Sequence, residues 1–142
     1  MTILAAFLAS MLFGIIFDVP ARSLIPAAIA GTLSWTCFSF LQTVNLSPVG
    51  AAFIATIATG VYAELMARFG RNPVSVFIVP GIIPLVPGAG AYFSMLNFVK
   101  GDFNRGLAVG IETILIAAAI AAGVAISSLV FRFIGPRVTV KH

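Results

Sequence analysis

The sequence predicts an all-α integral membrane protein with about five transmembrane helices, the fourth of them broken by a proline- and glycine-rich motif. The composition is 61% hydrophobic and only 8% charged, with a mean hydropathy of +1.14, whereas soluble domains carry about 25% charged residues. Apolar runs of about 20 residues, the length that crosses a bilayer, follow one another with short polar connections. The 142 residues therefore form one membrane domain, residues 1–142, with no room for a separate soluble domain.

The first two spans are predicted over residues 2–17 and 24–41. The first ends at a polar turn around Pro20, because proline cannot continue a helix. No basic residue precedes the first run and no small-residue cleavage site follows it. We therefore expect a span here, not a signal peptide. Ser23 is placed to cap the second span, and the small residues around Gly31 suit close contact with another helix.

The third and last spans are predicted over residues 49–66 and 106–131. Pro48 suits the first turn of the third span, because the amide it lacks would be unpaired there. In the last span, Gly106 and Gly110 have the four-residue spacing of close helix packing. A second series of small residues with the same spacing offers a smooth face to another helix: Ala117, Ala121 and Ala125.

The fourth segment, residues 74–99, holds the most informative motif. Its prolines remove backbone donors and its glycines lower the cost of leaving helical geometry, so the helix is predicted to break at residues 84–88. In hydrocarbon, such a break survives only where protein or a water-filled cavity meets the freed polar groups. Amides at the start of the second half-helix would attract an anionic substrate. The predicted substrate-binding residues are Pro84, Pro87, Gly88, Ala89, Gly90, Tyr92 and Ser94. The alternative is a purely structural kink.

Three charged residues are predicted to couple or gate transport. Glu64 lies four residues before Arg68 on one helical face, which indicates either an interfacial ion pair or a proton-coupling carboxylate with a nearby arginine. Glu112 lies six residues inside the last span, about 9 Å along it. It is either a structural hydrogen-bonding group or a proton or substrate contact. Arg68 is also interpretable as a simple topology marker.

Other chemistries are excluded by the residue inventory. The only histidine is His142 and the only cysteine, Cys37, lies inside an apolar run. These residues cannot build a histidine-activated nucleophile, a thiolate metal site or an internal disulfide. The eight basic residues lie at the ends of apolar runs, where they indicate topology and not a nucleic-acid surface. We expect no enzyme activity, cofactor or metal.

The basic residues also predict an orientation. With five spans, six lie on one side and two on the other, which places the N-terminus outside and the C-terminus in the cytoplasm. If residues 74–99 dip into the membrane and return, the split is five against three. The larger excess favours five spans. The six residues on the predicted cytoplasmic side are Arg22, Arg68, Arg71, Arg132, Arg137 and Lys141.

Several strings resemble the small subunit of the threonine/serine exporter family. They are the Pro-Gly-x-x-Pro-Leu-Val-Pro-Gly-x-x-x-Tyr string of residues 80–92, the Phe-Asp-Val-Pro turn of residues 17–20, Gly31 before Trp35, and Pro136-Arg137. The resemblance covers nearly the whole chain. It implies a five-span subunit of the inner membrane that is paired with, or fused to, a larger subunit. It also implies export of small carboxylate-bearing metabolites, either threonine and serine or dicarboxylates such as succinate.

The combined prediction is a subunit of a secondary exporter for small amino acids or small dicarboxylates. Five spans are few for alternating access, which usually relates two repeats by pseudo-symmetry. We therefore expect either a larger exporter subunit or a second copy of the chain to supply the other half. The alternatives are a homo-oligomeric passive pore, in which broken segments line the pathway, and a scaffold subunit that does not transport.

Overall fold

The computed structural model describes residues 2–134, apart from the side chains of Arg132 and Ile134, and the fold in this range is all-α, as predicted. The predicted cytoplasmic tail, with Arg137, Lys141 and His142, lies outside the described residues. The elements are α1 (Ile3–Ile16), α2 (Ala21–Thr43), α3 (Pro48–Gly70), α4 (Ser75–Ile82), a 3-10 turn (Ile83–Leu85), α5 (Gly88–Val99) and α6 (Phe103–Ile134).

Three helices are long and apolar enough to cross a membrane: α2, α3 and α6. The bent pair of α4 with its 3-10 turn and α5 adds a fourth candidate if it counts as one span. Helix α1 has 14 residues, so it is about 21 Å long at 1.5 Å per residue, shorter than the hydrocarbon core of about 30 Å. Length and composition thus support three or four crossings in the described part, and do not confirm the predicted five.

The start of α2 differs from the prediction. Ser23 does not cap this helix, because α2 begins at Ala21 and takes Pro20 as its N-cap. Proline suits the start of a helix because its φ is fixed and it has no amide to leave unpaired. The helix α2 therefore begins nearer the N-terminus than predicted. Ser23 is buried inside the helix, where its hydroxyl accepts a hydrogen bond of 2.9 Å from the side-chain amide of Asn72.

Small residues form much of the core between the helices. Two apolar clusters hold it together, one around Phe77 and Ile78 of α4 and one around Leu85 and Ile120. The other buried members of these clusters are all alanines of α2 and α3: Ala27, Ala52, Ala55, Ala63 and Ala67. Small side chains allow helix backbones to approach closely, which is how helices associate in a bilayer that supplies no hydrophobic driving force between them.

Two contacts bring three chain segments to one end of the bundle. The Asn72–Ser23 hydrogen bond joins the α3–α4 connection to the start of α2. At the same end, Nη2 of Arg68 donates a 3.2 Å hydrogen bond to the carbonyl of Phe131, and its guanidinium lies 5.1 Å from the centroid of that ring. The C-terminal end of α6 therefore lies beside the C-terminal end of α3.

Candidate functional site

The helix that begins with α4 is interrupted between its two halves. Residues 83–85 tighten into a 3-10 turn, Val86 and Pro87 leave helical geometry, and α5 starts at Gly88. The two halves are bent by 41°. Pro84 has no amide, so the carbonyl of Pro80, four residues earlier, loses its usual helical donor. Pro84 and Pro87 both lie within the interval between the two halves.

A serine of α2 stabilises the last turn before this interruption. Ser34 is completely buried, and its hydroxyl oxygen lies 2.7 Å from the carbonyl oxygen of Gly81 and 2.8 Å from that of Gly31. The backbone of Gly81 comes this close because it has no side chain: a Cβ there would lie 2.8 Å from Cγ2 of Thr59 and 3.0 Å from Cβ of Ala30. The polar backbone near the break is thus met by protein.

An open cavity of about 280 Å³ lies beside the interruption. Its walls come from the break itself, the C-terminal half of α2, the start of α3 and the first half of α6. The volume is at the small end of the range for ligand sites, roughly 300–1,000 Å³. The lining residues are Trp35, Phe38, Gln42, Pro48, Pro84, Leu85, Val86, Pro87, Gly90, Val109, Glu112, Thr113 and Ile116.

The N-terminal turn of α5 brings backbone amides to this cavity. The amide of Gly88 donates to the carbonyl of Val86 at 2.8 Å, and that of Ala91 donates to Pro87 at 3.2 Å. Within the described residues, the amides of Ala89 and Gly90 meet no backbone acceptor. Gly90 lines the cavity, and free amides at a helix start favour an anionic group.

Close packing against α6 fixes the position of α5. A Cβ at Gly90 would overlap Oγ1 of Thr113 and lie 3.4 Å from its Cβ, so glycine is required for this approach. One turn further, the buried hydroxyl of Ser94 donates a 2.7 Å hydrogen bond to the carbonyl of Gly106. Ser94 therefore joins two helices and does not line the cavity.

Glu112 is the one charged residue in the cavity lining. It is exposed, and within the described residues its carboxylate forms no hydrogen bond and no ion pair. Two other polar side chains line the same cavity: Gln42 and Thr113. The hydroxyl of Thr113 donates to the carbonyl of Val109 at 2.7 Å, so its lone pairs remain as acceptors. The lining thus combines one acid with the unpaired backbone amide of Gly90 and contains no basic side chain.

Several residues predicted for the site lie elsewhere. Gly88 and Ala89 are exposed and do not line the cavity, although they precede Gly90 directly. Tyr92 is 63% exposed, and its ring packs edge-on against Phe93 with the centroids 5.4 Å apart. Of the predicted binding residues, the structure brings together Pro84, Pro87 and Gly90, and adds Glu112 to them.

Glu64 and Arg68 are also outside the cavity. Glu64 follows the cavity-lining Pro48 by 16 residues, which is about 24 Å along α3. The predicted ion pair between Glu64 and Arg68 is not formed in the described part of the chain, because Arg68 turns to the carbonyl and ring of Phe131 instead. An exposed carbonyl near a helix end and an aromatic face are both good partners for a guanidinium.

The sequence-based prediction missed the walls that α2 and α6 contribute: Trp35, Phe38, Gln42, Val109, Thr113 and Ile116. Gln42 carries a weak signal, since it is a polar side chain at the end of an apolar run. The other residues have no distinguishing pattern. Their positions depend on how each helix is rotated about its axis, which packing determines and apolar composition does not.

Known proteins resemble this chain both as a family and as single sequences. A family model described as "Threonine/Serine exporter, ThrE" matches residues 2–130. An uncharacterized protein of Haemophilus influenzae is 31% identical over 128 residues, an alignment that covers 84% of this chain and 43% of that protein. The chain therefore spans less than half the length of this relative. No solved structure matches the chain.

Proposed function

Because this chain belongs to the threonine/serine exporter family, which is a family of membrane transporters and not of enzymes, we propose that it is a subunit of a secondary exporter. Its substrates are small amino acids such as threonine and serine, or small dicarboxylates, moved across the cytoplasmic membrane. The observation that carries the proposal is the cavity beside the helix interruption, where Glu112 faces the same space as the first turn of α5.

The charges around the cavity favour an amino acid. Gly90 is the residue of α5 that lines the cavity, and its unpaired amide offers a donor to a substrate carboxylate. The carboxylate of Glu112 offers an acceptor to a substrate ammonium group. A dicarboxylate would place its second negative charge near the Glu112 carboxylate in a lining without a basic side chain, and the repulsion between the two like charges disfavours it.

Glu64, the other acid within a predicted span, suits a role outside the binding step. Glu64 is half-buried near the end of α3 where the basic residues gather. Acids within membrane-spanning helices commonly serve proton relays. We assign Glu64 to coupling or gating at that end, with Arg68 holding the adjacent end of α6.

The topology that fits this function has five crossings in one domain. Because the bend between them is 41°, α4 and α5 run in the same general direction. This favours one broken membrane crossing and not a segment that dips into the membrane and returns. The contacts of Asn72 with Ser23 and of Arg68 with Phe131 support one shared end for the basic connections. By the positive-inside rule this end is cytoplasmic, and the N-terminus lies outside.

A partner is part of the proposal. Alternating access usually needs two repeats that move against each other around the site, and this chain would supply one of them. The other comes from a larger exporter subunit or from a second copy of the chain.

Efflux measurements test the proposal directly. Cells that express this chain, alone and with the larger subunit, are loaded with radiolabelled threonine, serine or succinate. We expect saturable, gradient-dependent efflux of threonine or serine when both subunits are present. Efflux that does not saturate would indicate a passive pore. The absence of efflux from cells that assemble both subunits would indicate a scaffold.

Two variants then test the cavity. Glu112→Gln removes the charge and is expected to lower efflux about tenfold or more, because a hydrogen bond to a charged group contributes about 1.5–3 kcal/mol. Tyr92→Phe is the control, because the Tyr92 ring lies outside the cavity lining. Normal efflux by the Glu112→Gln protein would refute the assignment of the cavity as the substrate site.

A further inference from the structure

Of the described residues that line the cavity, Thr113 alone carries a hydroxyl group. The proton of this hydroxyl is already committed, because Oγ1 donates to the carbonyl of Val109 at 2.7 Å, one turn earlier in α6. A hydroxyl has one proton and two lone pairs, so toward the cavity Thr113 can only accept a hydrogen bond. A substrate that meets this atom well must therefore bring a donor to it.

Oγ1 of Thr113 lies directly beside Gly90. It occupies the place where a Cβ of Gly90 would stand, and in the described part of the chain the amide of Gly90 meets no backbone acceptor. A free donor and a free acceptor are thus neighbours on the cavity wall. A substrate held by its carboxylate at the Gly90 amide brings its adjoining atoms close to Oγ1.

The shape of an amino acid decides which of its groups reaches Thr113. Carboxylate, ammonium and side chain all branch from one carbon atom. The amide of Gly90 takes the carboxylate, and Glu112 takes the ammonium, for which a carboxylate is a stronger acceptor than a hydroxyl. The side chain remains for Thr113, and the donor that it can offer so close to the carboxylate is a hydroxyl on its first carbon atom.

We propose that Thr113 is a specificity-determining residue, which selects amino acids with a β-hydroxyl group over apolar amino acids of the same shape. Threonine and valine are the matched pair, since valine carries a methyl group in place of the hydroxyl. A site that hydrogen-bonds a substrate hydroxyl rejects the analogue without it more strongly than an apolar pocket can. Gln42 does not supply this selection, because its amide both donates and accepts. The inference rests on the proposed function, since it assigns the selectivity of the same cavity.

Uptake of threonine and valine by inside-out membrane vesicles tests the assignment. The vesicles contain this chain together with its larger subunit. Uptake of each radiolabelled amino acid is measured over a range of concentrations, and uptake by vesicles without the chain is subtracted. We expect kcat/KM for threonine to exceed that for valine about tenfold, because valine leaves the acceptor of Thr113 without its donor.

Three variants make the test specific to the hydroxyl. Thr113→Val keeps the shape of the side chain and should lower kcat/KM for threonine about tenfold, with valine uptake unchanged as the sign that the protein is assembled. Thr113→Ser keeps the hydroxyl and should keep the preference for threonine. Thr36→Val is the matched control, because Thr36 donates a bond of the same 2.7 Å to the carbonyl of Thr32 and does not line the cavity.

The results that overturn the inference differ from those that reject the proposed function. Equal kcat/KM for threonine and valine in the unchanged protein would overturn the inference. Equal losses of both in the Thr113→Val protein, complete inactivity included, would do the same, because Thr113 would then serve a group that both substrates share. In either case, saturable uptake by the unchanged protein that falls in Glu112→Gln vesicles would leave the proposed function standing. No saturable uptake of either amino acid by the unchanged protein would reject both.

Discussion

A methyl group added at Gly90 is expected to destabilise the protein by forcing α5 away from α6. The ideal Cβ position overlaps Oγ1 of Thr113 and lies 3.4 Å and 3.5 Å from its Cβ and Cγ2. The matched control is Gly88→Ala, because a Cβ at Gly88 meets nothing within 4 Å. The same substitution, two residues apart in one helix turn, should therefore have opposite effects.

The magnitude follows from two opposing contributions. Overpacking a well-packed contact costs about 1–3 kcal/mol, whereas replacing glycine by alanine in a helix contributes about 0.5–1 kcal/mol of stability. Taking the midpoints of these ranges, about 2 and about 0.75 kcal/mol, the Gly90→Ala protein should lose roughly 1.25 kcal/mol of unfolding free energy, which lowers the melting temperature by about 5 °C at about 4 °C per kcal/mol. The Gly88→Ala protein should melt at or slightly above the temperature of the unchanged protein.

Thermal unfolding in detergent, followed by circular dichroism, measures both effects. Thr113→Ala supplies the internal check, because it removes the hydroxyl that the new methyl group meets. The double variant Gly90→Ala with Thr113→Ala should be more stable than the sum of the single variants by about 1 kcal/mol, in the range of couplings between touching residues. If Gly90→Ala melts as high as Gly88→Ala, α5 does not pack on α6 as described.

Two further substitutions test contacts around the bundle, each followed by the same melting assay. Ser34→Ala leaves the buried carbonyl of Gly81 without its donor and should cost about 1–3 kcal/mol. Ser39→Ala, on the same helix, should change stability by less than about 0.5 kcal/mol, and equal losses from the two serines would contradict this account. Arg68→Lys keeps the charge but loses the planar stacking on Phe131, so it should cost about 0.5–1 kcal/mol; an unchanged melting temperature would show that charge alone holds the end of α6.

The all-helical fold could be predicted from composition. An apolar chain with few charges has to form helices in a bilayer, since every backbone polar group must be paired internally. The helix is interrupted at residues 83–87, where Pro84 and Pro87 lack the amides that helical geometry uses. Apolar character and the missing amide of proline belong to individual residues. They can therefore be recognised in the sequence without knowing which residues pack against them.

The walls of the cavity depend on packing instead. Trp35 and Gln42 face it because α2 is rotated to place Ser34 against Gly81, a contact between residues 47 positions apart. Tyr92 was expected in the site because it follows the break, but Gly90 is the residue that turns toward α6, and Tyr92 lies on the outer side. Ser23 failed as a helix cap because Pro20 starts the helix earlier.

The short α5 has a consequence for how the protein is assembled during synthesis. Its 12 residues make a helix of about 18 Å, too short to rest across a bilayer by itself. Helix α5 packs against α6, which follows it after a three-residue connection. The hydrogen bond between Ser94 and Gly106 joins residues only 12 positions apart. Contacts so near in sequence form early. The α5–α6 hairpin is thus held by contacts near in sequence, whereas the contact of α2 with the end of α4 joins residues 47 positions apart.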